Sequence, residues 1–265
     1  MDLSLLQRRI FKDKAARWVM LVLTVLSLLL LIAIGIGLFF KSRLILSEHS
    51  LWELLSGSAW KPLSGEFGFL PFIVGTLFVT ALSIAIALPI SLLSAIFLTE
   101  YASSWVKRIV FPIFDILAGI PSVVYGVWGT LIIVPWIADK LGPRFVDYTS
   151  GYTVLASGIV LGIMILPILV SLLIEIFTIV PQDYREASAS LGATKWQTCS
   201  KVILRKAMPG IVAAVVLSIS KAFGETIAGL MVCGNYAAIP RSLFDPCYPL
   251  PALIANNYGE MLSLP

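Results

Sequence analysis

Two charged residues interrupt an apolar run near the C-terminal end of the chain, SISKAFGETIAGLMVCGN over 218–235, and they stand one helical turn apart. Lys221 and Glu225 are expected on one face of a single helix, near the middle of a membrane-crossing segment. A charge at that depth costs about 2.5 to 3.5 kcal/mol, so such groups face a partner, water or a substrate rather than lipid. The residues alone leave two readings open. One is a mutually neutralising pair that locks helix packing, with Lys before Glu the less favoured order. The other makes Lys221 a cationic point charge for a passing oxyanion, with Glu225 keeping it charged.

A second group is polar and lies between two apolar runs, PQDYREASASLGATKWQTCSKVILRKAMPG over 181–210. Pro181 stops the preceding run, Asp183 is a suitable N-cap, and Glu186 stands where its carboxylate can reach back to the Asp183 N–H. Gly192 follows Leu191 where a left-handed residue is wanted, and Thr194 with Gln197 repeats the capping-box spacing. The prediction is two short helices around a turn. Tyr184, Ala187, Ser188 and Leu191 recur at three- and four-residue spacing, giving one narrow face that is small and weakly apolar and suits a partner's groove.

The elements that must position these groups follow from composition. The chain is 58% hydrophobic and only 13% charged, against about 25% in soluble proteins, so it is read as a membrane protein lodged in a lipid bilayer. A hydrocarbon core takes roughly 20 helical residues to cross. Spans are expected near Trp18 to Phe40, Leu70 to Leu98, Ile109 to Ile137, Thr153 to Val180 and Met208 to Gly234. Pro89, Pro112 and Pro121 fall inside them and predict kinks. With a cytoplasmic N-terminus, about twelve Lys and Arg lie inside and about six outside, which satisfies the positive-inside rule and puts the 181–210 hairpin in the cytoplasm.

The first apolar run, about 23 residues long by the span rule, is too long for a signal peptide and is kept as a span. The net charge of +4 reflects topology and headgroups; no basic-aromatic surface for nucleic acid is seen. Cys199, Cys233, Cys247 and His49 show no metal-ligand spacing, so no metal site is expected. Cys233 is read as packing, and an external disulfide at Cys247 is the less favoured alternative. The absence of G-x-x-x-x-G-K-[ST] predicts that the chain does not itself hydrolyse ATP.

Glu186-Ala187-Ser188, Gly192 and Val202-Ile203-Leu204 together resemble the EAA loop of ATP-binding-cassette importer permeases. Ser188 stands where a second Ala is usual, and Arg205 where Pro is frequent. FPIFDILAGIPSVVYGVWG, residues 111 to 129, looks like the phosphate-specific (Pst) permeases, with Asp115 at an acidic position more often held by Glu. Asp115 itself is read as an interfacial carboxylate paired with Lys107 or Arg108. The 221–228 run, Lys-Ala-Phe-Gly-Glu-Thr-Ile-Ala, is similar to that of PstC-like subunits, with Lys221 in place of their usual Arg.

This resemblance implies an all-α polytopic transmembrane bundle of the type I ABC importer class, with five spans present and a sixth missing beyond the 250–265 segment. It implies three regions: a cytoplasmic segment 1–17, a first helix with outer loop 18–69, and a permease core 70–265 carrying a coupling hairpin at 181–207. The implied partners are a PstA-like permease, a dimer of PstB-like cytoplasmic ATPases that uses the ATP, and an external PstS-like phosphate-binding protein. No cofactor is expected on this chain. Tyr184, Glu186, Ala187, Ser188, Leu191 and Gly192 would meet the ATPase, and Lys221 and Glu225 would line the phosphate path. The alternatives are a permease for molybdate or sulfate and an ATP-independent channel.

Overall fold

The structure, a computed structural model, describes residues 3–261. It divides into two units, Met1–Leu54 and Leu55–Pro265. The first holds α1 (Leu3–Glu48), whose stretch from 18 to 40 carries no charge on any side, the pattern of a helix that lipid can surround. It overruns the expected span at both ends, because the flanking polar residues continue the same helix. A short α2 (Leu51–Ser56) follows.

The second unit opens with a two-stranded antiparallel ribbon, β1 (Trp60–Lys61) and β2 (Glu66–Phe67), pairing Trp60 with Phe67. Trp60 meets the ring of Phe72 edge-on at 5.0 Å, and Phe72 meets Tyr248 at 5.3 Å. This aromatic cluster closes one end of α3 (Leu70–Ile96).

The centre of the unit is α3 packed on α7 (Val154–Ile179). On α3 the buried positions are mostly small, Thr76, Thr80, Ser83, Ala87, Ser91 and Ala95, recurring every three or four residues. On α7, a Cβ at Gly158 would lie 2.5 Å from Leu82 Cδ2, and one at Gly162 would lie 3.2 Å from the Ser83 carbonyl oxygen. Small residues on both sides bring the backbones together where no hydrophobic effect drives helices to associate. The hydroxyls are absorbed locally: Thr76 donates to Phe72 O at 2.7 Å, and Ser83 to Thr80 O at 2.8 Å. Ser91 reaches across to Leu166 O at 3.4 Å.

The second and fourth spans fall where hydropathy placed them. Thr153 caps α7 by accepting from Ala156 N at 3.1 Å. The next two N–H groups, of Val154 and Leu155, donate to Asp245 O and Leu243 O at 3.0 and 2.9 Å, so a distant segment satisfies the helix's first turn. The final helix, α12 (Leu250–Met261), is pinned to α3 by Leu250 N donating to Thr76 Oγ1 at 2.9 Å.

The third span departs from expectation. The apolar run from Ile109 to Ile137 is not one kinked helix. α4 (Ser104–Ala118) ends at Gly119, and Pro121 is extended, with φ −60° and ψ 142°. Proline cannot supply the N–H that would carry the helix on, and it disfavours helical geometry in Ile120 before it. A new helical run then begins with α5 (Ser122–Trp128) and continues through α6 (Val134–Trp136), with π turns at 129–133 and 137–141. The spanning stretch is Ser122–Arg144. The expected pairing of Asp115 also fails. Lys107 and Arg108 stand eight and seven residues before it, about 12 and 10 Å along the axis, and among the described residues neither forms an ion pair with it. Lys107 Nζ instead donates to Thr99 O at 3.2 Å.

The α3–α7 interface yields the first test. Gly158→Val should force Leu82 and the facing backbone apart at a cost of roughly 1 to 3 kcal/mol. Gly37→Ala, where an added Cβ meets nothing within 4 Å, should cost far less. Thermal unfolding of the purified protein in detergent should show a lowered midpoint for the first change and almost none for the second.

Candidate functional site

The polar segment forms the hairpin the spacing predicted, with one change at its entrance. α8 (Gln182–Ser190) begins directly after Pro181, which occupies the N-cap and has no side-chain acceptor. Asp183 therefore lies inside the first turn, and the expected Asp183–Glu186 capping box does not form. The carboxylate there still faces the positive end of the helix. At the far side, α9 (Lys195–Thr198) carries the complete box: Gln197 N donates to Thr194 Oγ1 at 3.3 Å and Thr194 N to Gln197 Oε1 at 2.9 Å. Gly192 joins the two helices at φ +77°, with Ala193 N donating to Ser188 O at 3.2 Å.

The hairpin's outer and inner faces are distinct. Glu186, Ala187 and Gly192 are exposed, and Leu191 is 88% exposed, an apolar side chain standing free at the tip. Tyr184 is partly covered by Lys206, whose ammonium sits 5.2 Å from the ring centroid. Ser188 does not belong to that outer face. It is buried, with its hydroxyl 2.9 Å from Thr198 Oγ1, and it ties α8 to α9 from within. The residue is small because two helices meet there.

The strongest anchor of the hairpin is one that the sequence did not single out. Arg185 forms an ion pair with Glu100, Nη2 to Oε1 at 2.7 Å, with Nε at 3.2 and 3.3 Å from the two carboxylate oxygens. The same guanidinium donates to Val180 O at 2.7 Å and to Phe177 O at 3.1 Å, the carbonyls left without helical partners where α7 ends. Both side chains are largely covered, at 18% and 16% exposure. Glu100 lies in the π turn Phe97–Tyr101 that finishes the second span. A carboxylate at the end of an apolar run is a signal in the sequence, but its partner is 85 residues away.

The fifth span is broken at the charged pair. Helix continues from α9 through the π turn Cys199–Ile203 into α10 (Leu204–Phe223), and stops. Gly224 to Thr226 intervene before α11 (Ile227–Val232). Lys221 is thus in the last turn of α10, exposed, where a cation favours the helix's negative end. It lies fifteen residues, about 22 Å along the helix, beyond Lys206. Glu225 is in the break, half-buried, and its Oε1 accepts from Ala228 N at 3.3 Å. The two do not share a helix face, and among the described residues they form no ion pair. A glycine followed by a carboxylate that caps the next helix ends α10 one turn too early for the expected geometry.

No three His, Cys, Asp or Glu side chains gather as a metal-ligand set among the described residues.

Residues 87–245 match the model of the family described as binding-protein-dependent transport system inner membrane component. A phosphate transport system permease protein PstC of Pasteurella multocida is 35% identical over 250 residues, covering 89% of this chain and 78% of the relative. One from Methanocaldococcus jannaschii, described as probable, is 34% identical over 247 residues, covering 87% and 78%. A probable ABC transporter permease of Bacillus subtilis is 42% identical over 210 residues, covering 78% of this chain and 66% of its own length. Among solved structures, an inward-facing MetNI methionine ABC transporter superposes with a TM-score of 0.51 at 22% identity, covering 81% of this chain and 84% of the other. That likeness concerns the fold. With a family match across more than half its residues and relatives aligned over most of its length, this chain belongs to the inner membrane components of binding-protein-dependent transport systems, as a PstC-like permease.

Proposed function

We propose that this chain is the permease subunit through which an ATP-driven importer passes inorganic phosphate across the cytoplasmic membrane. The observation that carries the reading is the 35% identity to a phosphate permease over 89% of the chain. The polarised hairpin supports it, because its apolar tip at Leu191 is stranded in water unless a partner covers it. That partner is a dimer of cytoplasmic ATPases, PstB-like, which binds and hydrolyses the ATP; this chain binds no cofactor. A PstA-like permease and an external PstS-like phosphate-binding protein complete the assembly. The N-terminus lies in the cytoplasm in this reading, which the excess of Lys and Arg on that side supports.

In this reading the outer face of α8 and its turn, with Tyr184, Glu186, Ala187, Leu191 and Gly192, meets the ATPase. Ser188 contributes from behind by holding the two helices together. Displacement of the hairpin is carried into the second and fourth spans by the Arg185 guanidinium, and into the fifth by unbroken helix from α9 to Phe223. At the end of that helix Lys221 offers an ammonium to the anion, while Glu225 fixes the start of α11. A route specific for another oxyanion, molybdate or sulfate, would use the same hairpin.

Phosphate uptake by the permease with its partners should be suppressed by excess unlabelled phosphate. Molybdate or sulfate competing equally well would transfer the assignment to another oxyanion. For docking, Leu191→Asp and Gly192→Val should each reduce ATPase co-purification; the second acts through backbone strain of about 1 to 2 kcal/mol, since nothing crowds the site. Undiminished recovery of the ATPase with both variants would remove the hairpin tip from the contact. For the path, Lys221→Gln should abolish uptake and Lys221→Arg should retain much of it. Glu225→Gln, which keeps an acceptor for Ala228 N, should be milder than Glu225→Ala, and equal losses in the two would assign Glu225 a charge role instead.

A further inference from the structure

The outer end of the fifth span contains a second chemical pair that transport does not use. Cys233 directly follows α11, and the chain returns to it fourteen residues later as Cys247. Both are free thiols and both are 0% exposed. The backbones are joined: Cys247 N donates to Cys233 O at 2.9 Å, beside a parallel bridge between Gly234 and Cys247. A main-chain bond of that length keeps the two Cα atoms within about 7 Å, the limit for a disulfide without backbone movement.

We propose that Cys233 and Cys247 are a disulfide site, which clasps the segment 234–246 to the outer end of the fifth span. The proposal rests on the orientation given above, which puts this segment on the outer, oxidising side. In the step itself a disulfide donor of the cell envelope reacts with the two thiols. A thiolate attacks the donor sulfur, the second thiolate resolves the mixed disulfide, one S–S bond forms and one breaks. The donor takes two electrons and two protons and leaves as a dithiol.

The surrounding structure gives the clasp something to hold. Gly234 and Asn235 are both left-handed, at φ +84° and +52°, so the chain turns through two residues of which only the first is a glycine. Asn235 is braced by its own side chain, Nδ2 donating to Leu230 O at 2.9 Å and Oδ1 accepting from Cys233 Sγ at 3.0 Å. The same segment supplies the Asp245 and Leu243 carbonyls that satisfy the first turn of α7. A covalent link at Cys247 therefore secures the fourth span's N-terminus as well as the end of the fifth. In the packed state both thiols are 0% exposed, out of reach of a disulfide donor. Exchange thus belongs to the stage before the segment packs.

The test is the redox state in the membrane of a bacterium with an envelope disulfide donor, against the same strain lacking it. Thiols are blocked under denaturing quench, and the protein is digested with trypsin without reduction. Cleavage at Arg241 puts the two cysteines on separate peptides. The expected result is a joined pair, two hydrogens lighter than its parts, that is lost in the donor-less strain, while Cys199 of the cytoplasmic hairpin stays a blocked thiol in both. Blocked Cys233 and Cys247 in the donor-containing strain overturn the proposal. A Tyr148→Cys reporter, at an 87% exposed outer position in a Cys199→Ser background, is labelled by a membrane-impermeant maleimide if the orientation is right. Failure of that label overturns the orientation and the disulfide with it; labelling together with blocked thiols sinks the disulfide alone.

Discussion

The guanidinium of Arg185 is the contact on which the hairpin end of this molecule depends. It joins the hairpin to the ends of two spans, by an ion pair to Glu100 and by two carbonyls at the end of α7. Its planar fork meets acceptors in several directions at once, which a lysine ammonium on a flexible stem does not reproduce. Removing either partner would leave a covered charge unpaired, a larger penalty than the pair's net gain. The clamp is thus better described as a constraint on geometry than as a source of stability.

Around that constraint the hairpin has one stiff and one open side. The buried Ser188–Thr198 hydroxyl pair and the Thr194–Gln197 capping box stiffen its inside, while Leu191 is left in solvent. Stiffness behind and exposure in front suit a surface that must pass on a displacement rather than absorb it. The π turns at Phe97–Tyr101 and Cys199–Ile203 lie where the second and fifth spans approach this hairpin, and each is a local widening of otherwise regular helix.

Much of this was legible in the sequence, unevenly. The second and fourth spans could be read because each is a long, uninterrupted apolar helix. Gly192 was legible because a left-handed position selects for glycine. The third and fifth spans misled for a shared reason: hydropathy averages over a window and does not register a break. Gly119-Ile120-Pro121 and Gly224-Glu225-Thr226 each end a helix inside a run that stays apolar on average. Lys221 and Glu225 were found by residue type, but their four-residue spacing has meaning only if the helix is continuous. Arg185 with Glu100 was invisible for another reason, since a contact across 85 residues leaves no local pattern.

The lengths of the helices carry a last consequence. The second spanning helix runs 32 residues and the fifth 29, about 48 and 43 Å, against a hydrocarbon layer of roughly 30 Å. Hydrophobic mismatch of that size is met by tilt or by protrusion. Apart from Lys221, the charged residues of both helices gather at the hairpin end, Glu100 in one and Lys195, Lys201, Arg205 and Lys206 in the other. The surplus turns therefore form a stalk clear of the lipid tails. The Arg185–Glu100 clamp, largely covered from water, rides on this stalk, and a small swing of either helix is magnified by the lever below it.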